Sequence, residues 1–99
     1  MPPDDALRRH LSMTKIYTYC LFDHDNTFYG VYSSLKAIHR DAMKLCNKTR
    51  ASVVMESNEG LVTPSLTALR NQFKGRCDIV VQYRGGAHVA KILKTKLRE

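Results

Sequence analysis

The stretch LFDHDNTFYG, residues 21–30, sets Asp23, Asp25 and Thr27 at alternate positions after a hydrophobic run. An Asp-x-Asp-x-Thr string at the end of an apolar segment can serve phosphoryl transfer. The same residues can also form an acidic hairpin loop, because Asp and Asn readily turn the chain. The first reading makes the chain an enzyme and the second does not. What the flanking segments form decides between them.

Both flanks read as strands. Residues 15–22 (KIYTYCLF) are rich in β-branched and aromatic side chains, as are residues 27–34 (TFYGVYSS). Asp23 to Asn26 between them are mostly turn formers, so the pair predicts a β-hairpin. Ser33 or Ser34 can then cap a helix over 35–48, with Leu35, Ile38, Ala42, Leu45 and Cys46 on its buried face. Residues 51–56 (ASVVME) predict a short strand and 58–60 a loop. Thr63-Pro64 suits a helix start, Leu66, Leu69 and Phe73 its buried stripe, and Gly75 its stop. In residues 77–93, Gly85-Gly86 suits a tight hairpin turn needing positive φ. Pairing about that turn sets Ile79, Val81, Tyr83, His88, Ala90 and Ile92 on the core face. Gln82, Arg84 and Lys91 fall on the other, beside Val80 and Val89. The tail 93–99 is ambiguous between strand and helix, with Lys94, Lys96 and Arg98 mostly solvated in either case.

The predicted order is β-β-α-β-α-β-β. It implies an α+β fold, a small sandwich of an antiparallel or mixed sheet with two helices on one face. Ninety-nine residues suffice for one domain and one modest core. We expect a loose arm over residues 1–12 and the domain over 13–99. Leu35, Ile38, Leu45, Leu66, Leu69, Phe73, Ile79, Val81 and Ile92 are the expected core.

LFDHDNTF resembles the first motif of the haloacid dehalogenase phosphatases, and VVMESN resembles their second, with Ser57 as phosphate ligand. The resemblance implies that Asp23 attacks phosphorus while Asp25 carries a proton. That family also needs a later lysine and acidic pair to hold magnesium. Beyond Asp78 the only carboxylate side chain here is Glu99. The expectation is therefore a solvated turn and no catalytic residue. No Gly-x-Ser-x-Gly or phosphate-binding loop is present. Cys20, Cys46 and Cys77 are odd in number, lack paired spacing and sit in or beside apolar segments. That predicts inert thiols and no disulfide framework. His10, His24, His39 and His88 are scattered, so neither metal nor other cofactor is expected.

Charge carries more information. The net charge of +7 is spread as −1 over residues 1–34, +2 over 35–69 and +6 over 70–99. A basic C-terminal third suggests an anionic partner, nucleic acid first. Lys36, Arg40, Lys44 and Lys48 recur every four residues along the predicted helix, with Asp41 beside them. Like charges at that spacing repel, and an anionic polymer would relieve the cost. Arg84, Lys91, Lys94, Lys96 and Arg98 form a second set, with Arg70, Lys74 and Arg76 upstream. A two-stranded ribbon can lie along a nucleic-acid groove. Tyr29 and Tyr32 offer stacking, whereas Tyr83 belongs to the core. No bidentate base-reading pattern is visible, which predicts phosphate contacts with little sequence preference.

YCLFDHDNTFYGVY is similar to the first hairpin of the small basic chromosomal proteins of methanogenic archaea, which have relatives in large DNA viruses. DIVVQYRGGAHVAKI is similar to their later hairpin. The chain departs from them in lacking their Pro-x-x-Ala-Ala helix start and their tryptophan, and residues 50–76 have no counterpart. The resemblance implies non-specific binding and bending of duplex DNA. The strand, Gly-Val-Tyr and helix succession also resembles short virion proteins of large DNA viruses. That implies a structural or cementing role against other virion proteins, for which a hairpin edge can extend a neighbour's sheet. The expected setting is the host cell interior or a virion and not secretion, since the N-terminus has no secretory-signal pattern and no apolar run reaches membrane-spanning length.

Overall fold

The computed structural model describes residues 17–47 and 52–96. The expected arm, Lys48 and Arg98 lie outside the described residues. Eight elements follow in chain order: β1 (Tyr17–Asp23), β2 (Phe28–Tyr32), α1 (Leu35–Cys46), β3 (Val53–Ser57), β4 (Gly60–Val62), α2 (Leu66–Phe73), β5 (Ile79–Gly85) and β6 (His88–Lys96). The six strands make one sheet in the order β2-β1-β6-β5-β3-β4. Every neighbouring pair is antiparallel. The fold is the expected α+β domain, with one more short strand than the pattern suggested. β4 forms because Asn58-Glu59 is a two-residue turn, not the start of a loop, and it returns Gly60 opposite Ser57. Ser57 Oγ donates to the Gly60 carbonyl at 2.7 Å and accepts from the Glu59 amide at 3.1 Å.

The C-terminal segment is strand as far as Lys96. β6 lies between β1 and β5, so both of its edges are paired. The expected faces of β5 and β6 hold, but the register is shifted by two residues from pairing about Gly85-Gly86: Val81 stands opposite Ile92 and Tyr83 opposite Ala90. The turn sits one residue later than expected, at Gly86-Ala87, since Gly85 pairs with His88. Gly86 supplies the positive φ of 61°. Gly85 has a different task. A Cβ there would stand 2.3 Å from the Cys46 carbonyl oxygen, so the end of α1 can close on β5 only over a glycine.

Both helices begin at a serine. Ser34 Oγ accepts from the Ala37 amide at 3.1 Å, and Ser65 Oγ from the Ala68 amide at 3.0 Å. The second contact corrects the helix start expected at Thr63-Pro64. A serine hydroxyl reaching the third helical amide is the stronger cap, so Pro64 ends up before the helix. Gly75, with φ of 70°, follows the end of α2 as expected. Both helices cover one face of the sheet, and the core lies between the layers. Ile38, Leu69, Met55, Tyr83, Ala90 and Ile92 are fully buried there, joined by Leu21, Phe73 and Val81. Of the expected core, Leu35 and Ile79 pack at its margin and Leu66 is only half-buried.

Candidate nucleic-acid interface

α1 positions the first cationic set. Ile38, Ala42, Leu45 and Cys46 are buried against the sheet, which fixes the roll of the helix. Lys36, Arg40 and Lys44 are all exposed as a result. Residues four apart rise about 6 Å, so the three charges span about 12 Å. Asp41 stands beside them and is engaged twice. It accepts from the Tyr32 hydroxyl at 2.6 Å and pairs with Arg40 Nε at 3.3 Å. The Tyr32 bond, aided by Arg40 and Lys44, holds the Asp41 carboxyl below its ordinary range. Burial and the facing Asp41 carboxylate push the Tyr32 phenol up to about 12. Asp41 thus offsets part of Arg40. Lys36 and Lys44 pair with no carboxylate among the described residues. Lys44 also borders a cleft of about 460 Å³ between α1 and the first hairpin, with Tyr29, Tyr32 and Asp41.

The second set is divided. Arg84 and Lys91 alternate with buried Tyr83, Ala90 and Ile92, which puts them on the sheet face away from the helices. There they share a cavity of about 380 Å³ with His24 and Gln82. Arg84 pairs with Glu56 at 2.7 Å, and Lys91 donates to Asn26 Oδ1 at 2.8 Å. Lys94 is on the opposite, helix-covered face and is a correction: expected to be solvated, it is 7% exposed. Its ammonium donates to the Phe73 carbonyl at 2.8 Å, at the last residue of α2, and lies 4.2 Å from the Tyr17 ring centroid. A cation suits both the negative end of a helix and the face of an aromatic ring. Lys96 is exposed at the end of β6. The structure therefore brings Lys36, Arg40 and Lys44 together and Arg84 and Lys91 together, on opposite sides of the sheet.

The acidic loop is spent on its own geometry. The Asp23 carboxylate accepts from the Thr27 and Asp25 amides, both at 2.9 Å, and from the Tyr29 hydroxyl at 3.4 Å. Hydrogen bonding from the Thr27 amide leads in holding its carboxyl below the ordinary range. Asn26 takes a left-handed φ of 63° to close the turn. Ser57, the second phosphate-motif residue, lies on β3. Two strands separate β3 from β1, so three spacings of the sheet, about 14 Å, keep it from Asp23. The two motifs do not meet. Among the described residues, no three His, Cys, Asp or Glu side chains gather as a metal site would need. The three cysteines are free, Cys46 buried and Cys20 and Cys77 half-buried.

Compared with known proteins, the chain matches no family model, no curated protein and no solved structure.

Sequence reasoning left two cations out of the helical side. Arg70 and Lys74 are exposed on and just after α2, in the same layer as α1. The signal was present, since both fall between the buried positions Leu69 and Phe73 or just beyond them. Tyr29 is half-exposed and available for stacking, Tyr32 is committed to Asp41, and Tyr83 is buried with its hydroxyl 2.7 Å from His39 Nδ1. No described helix is long and apolar enough to cross a membrane.

Proposed function

We propose that this is a non-enzymatic, nucleic-acid-binding protein that contacts phosphates from its helical side with little sequence preference. The observation that carries the reading is the exposed row Lys36-Arg40-Lys44, in which only Arg40 has a carboxylate partner among the described residues. Arg70 and Lys74 add to the same layer. Phosphate contacts of this kind release counterions and make binding steeply salt-dependent. They position a protein without reading bases. Duplex DNA is the first candidate and RNA the second, inside a cell or a virus particle. In this reading one duplex meets the helical side and not Arg84 and Lys91 as well, since those two lie on the other face of the sheet.

The test is a shift assay with labelled duplex DNA over a range of salt. Binding should weaken as salt rises and should be alike for unrelated sequences. No binding at low salt, or tight binding indifferent to salt, would overturn the reading. The other reading, a structural or cementing protein of a particle, is favoured by one observation, the large apolar side chains Phe28, Val31, Leu61 and Val80 that the described residues leave exposed. It predicts little affinity for DNA at physiological salt and co-purification with virion proteins.

A further inference from the structure

Among the described residues, nothing packs on the sheet face opposite the helices. The strand registers arrange its side chains in rows. Val31, Cys20, Leu93 and Val80 line up across four strands, all apolar. The next row begins with Phe28 and Phe22 and ends at Leu61, with Lys91, Gln82 and Glu56 between. Phe22 and Phe28 pack with centroids 5.6 Å apart. Even so, Phe28 is 54% exposed, Val31 61%, Leu61 67% and Val80 55%. Monomers rarely leave so many large apolar side chains on one face to water.

We infer that this face is where a second copy of the chain docks, sheet against sheet about a two-fold axis. Charge argues for a like copy. Lys36, Arg40, Lys44, Arg70 and Lys74 all lie on the helical side, so stacking the open faces turns both cationic layers outward. Two sheets about 10 Å apart, each backed by helices, hold those layers well beyond the screening length of about 8 Å. The cationic helical sides therefore oppose this pairing less than one that sets α1 against α1. On the open face Arg84 is neutralised by Glu56 at 2.7 Å, and Lys91 donates to Asn26 Oδ1 at 2.8 Å. A pair of opposite charges is self-complementary across a two-fold axis. Size agrees as well. Six strands are about 24 Å across, and with the Val54-Arg84-Val89 row beyond the two just described the side chains are about 20 Å deep, giving on the order of 500 Å² per copy and about 1,000 Å² in all. That reaches the lower end of specific interfaces. The inference does not depend on nucleic-acid binding and is tested without nucleic acid.

The experiment is sedimentation equilibrium of the full chain from about 1 µM to about 1 mM, in low and high salt, with far-ultraviolet circular dichroism as the check on folding. The expected result is a monomer–dimer equilibrium that high salt leaves intact or strengthens, since apolar burial drives it. Val80→Lys and, separately, Val31→Lys should shift that equilibrium to monomer with an unchanged spectrum. Lys44→Gln, on the other side, should leave it in place. A wild-type chain that stays monomeric at the highest concentration overturns the inference and leaves the face to a different protein. So does a dimer that dissociates as salt rises, or one that survives both valine substitutions.

Discussion

Gly85 and Lys94 show how a single side chain, or its absence, is set by what packs over it. Gly85 lies beneath the Cys46 carbonyl, where a Cβ would be 2.3 Å from the oxygen. Gly85→Ala should therefore lower stability by about 1–3 kcal/mol, the usual cost of forcing atoms into a packed contact; thermal denaturation measures it. Lys94 anchors the end of α2 through the Phe73 carbonyl. Lys94→Gln should lower the melting temperature yet leave the salt dependence of DNA binding unchanged, whereas a phosphate-contacting lysine would do the reverse. His39 gives a pH signature. Burial beside Tyr83 holds its pKa below the ordinary 6.5. The unfolded chain therefore takes up the proton first, and the stability tied to the neutral imidazole is present above pH 6.5 and declines as pH falls toward the folded value. Melting temperature should drop between pH 7 and pH 5 in the wild type, and His39→Gln should flatten that slope.

At the scale of elements, α1 carries both the packing and the proposed binding face. Leu45 is 8% exposed, and Leu45→Ala should cost roughly 2–5 kcal/mol, a large share of the stability of so small a domain. The opposite side of the helix is separable from that role. Lys36→Gln, Arg40→Gln and Lys44→Gln should each weaken binding to all duplexes alike and reduce the salt slope by about one unit. Arg84→Gln, on the far face of the sheet, should leave the slope as it is. Equal losses from Arg84→Gln and Lys44→Gln would mean that the nucleic acid reaches both sides and that the assignment to α1 is wrong.

For the molecule as a whole, the last strand is the organising one. β6 pairs with β1, so Tyr17 stands opposite Lys96, and with β5 on its other edge. The contacts that close the sheet thus join the two ends of the described chain. A chain ended after Gly86 loses the centre of its sheet and should show no cooperative unfolding, while the intact chain should unfold in one transition by every probe. The fold also separates two surfaces, a cationic helical side and a sheet side on which Phe28, Val31, Leu61 and Val80 are exposed.

Local pattern in the sequence determined the class and order of the fold, because period-two and helical spacing depend only on near neighbours. The β5–β6 faces, the buried face of α1 and a serine cap at Ser33 or Ser34 all follow from it. It missed β4, whose three residues, Gly60–Val62, are too few to show alternation, and it took Gly85 for the turn residue, because a glycine for φ and a glycine for close approach look alike in one dimension. The candidate site was legible residue by residue but not as a surface. The sequence placed Lys36, Arg40 and Lys44 on one helix face. Only the tertiary structure showed that Arg84 and Lys91 lie across the sheet from them, and that Lys94 points inward beneath α2. The reason is physical: the side of the sheet a strand residue faces follows from alternation, but which side the helices cover, and which carbonyl a lysine then meets, is set by contacts between residues far apart in the chain.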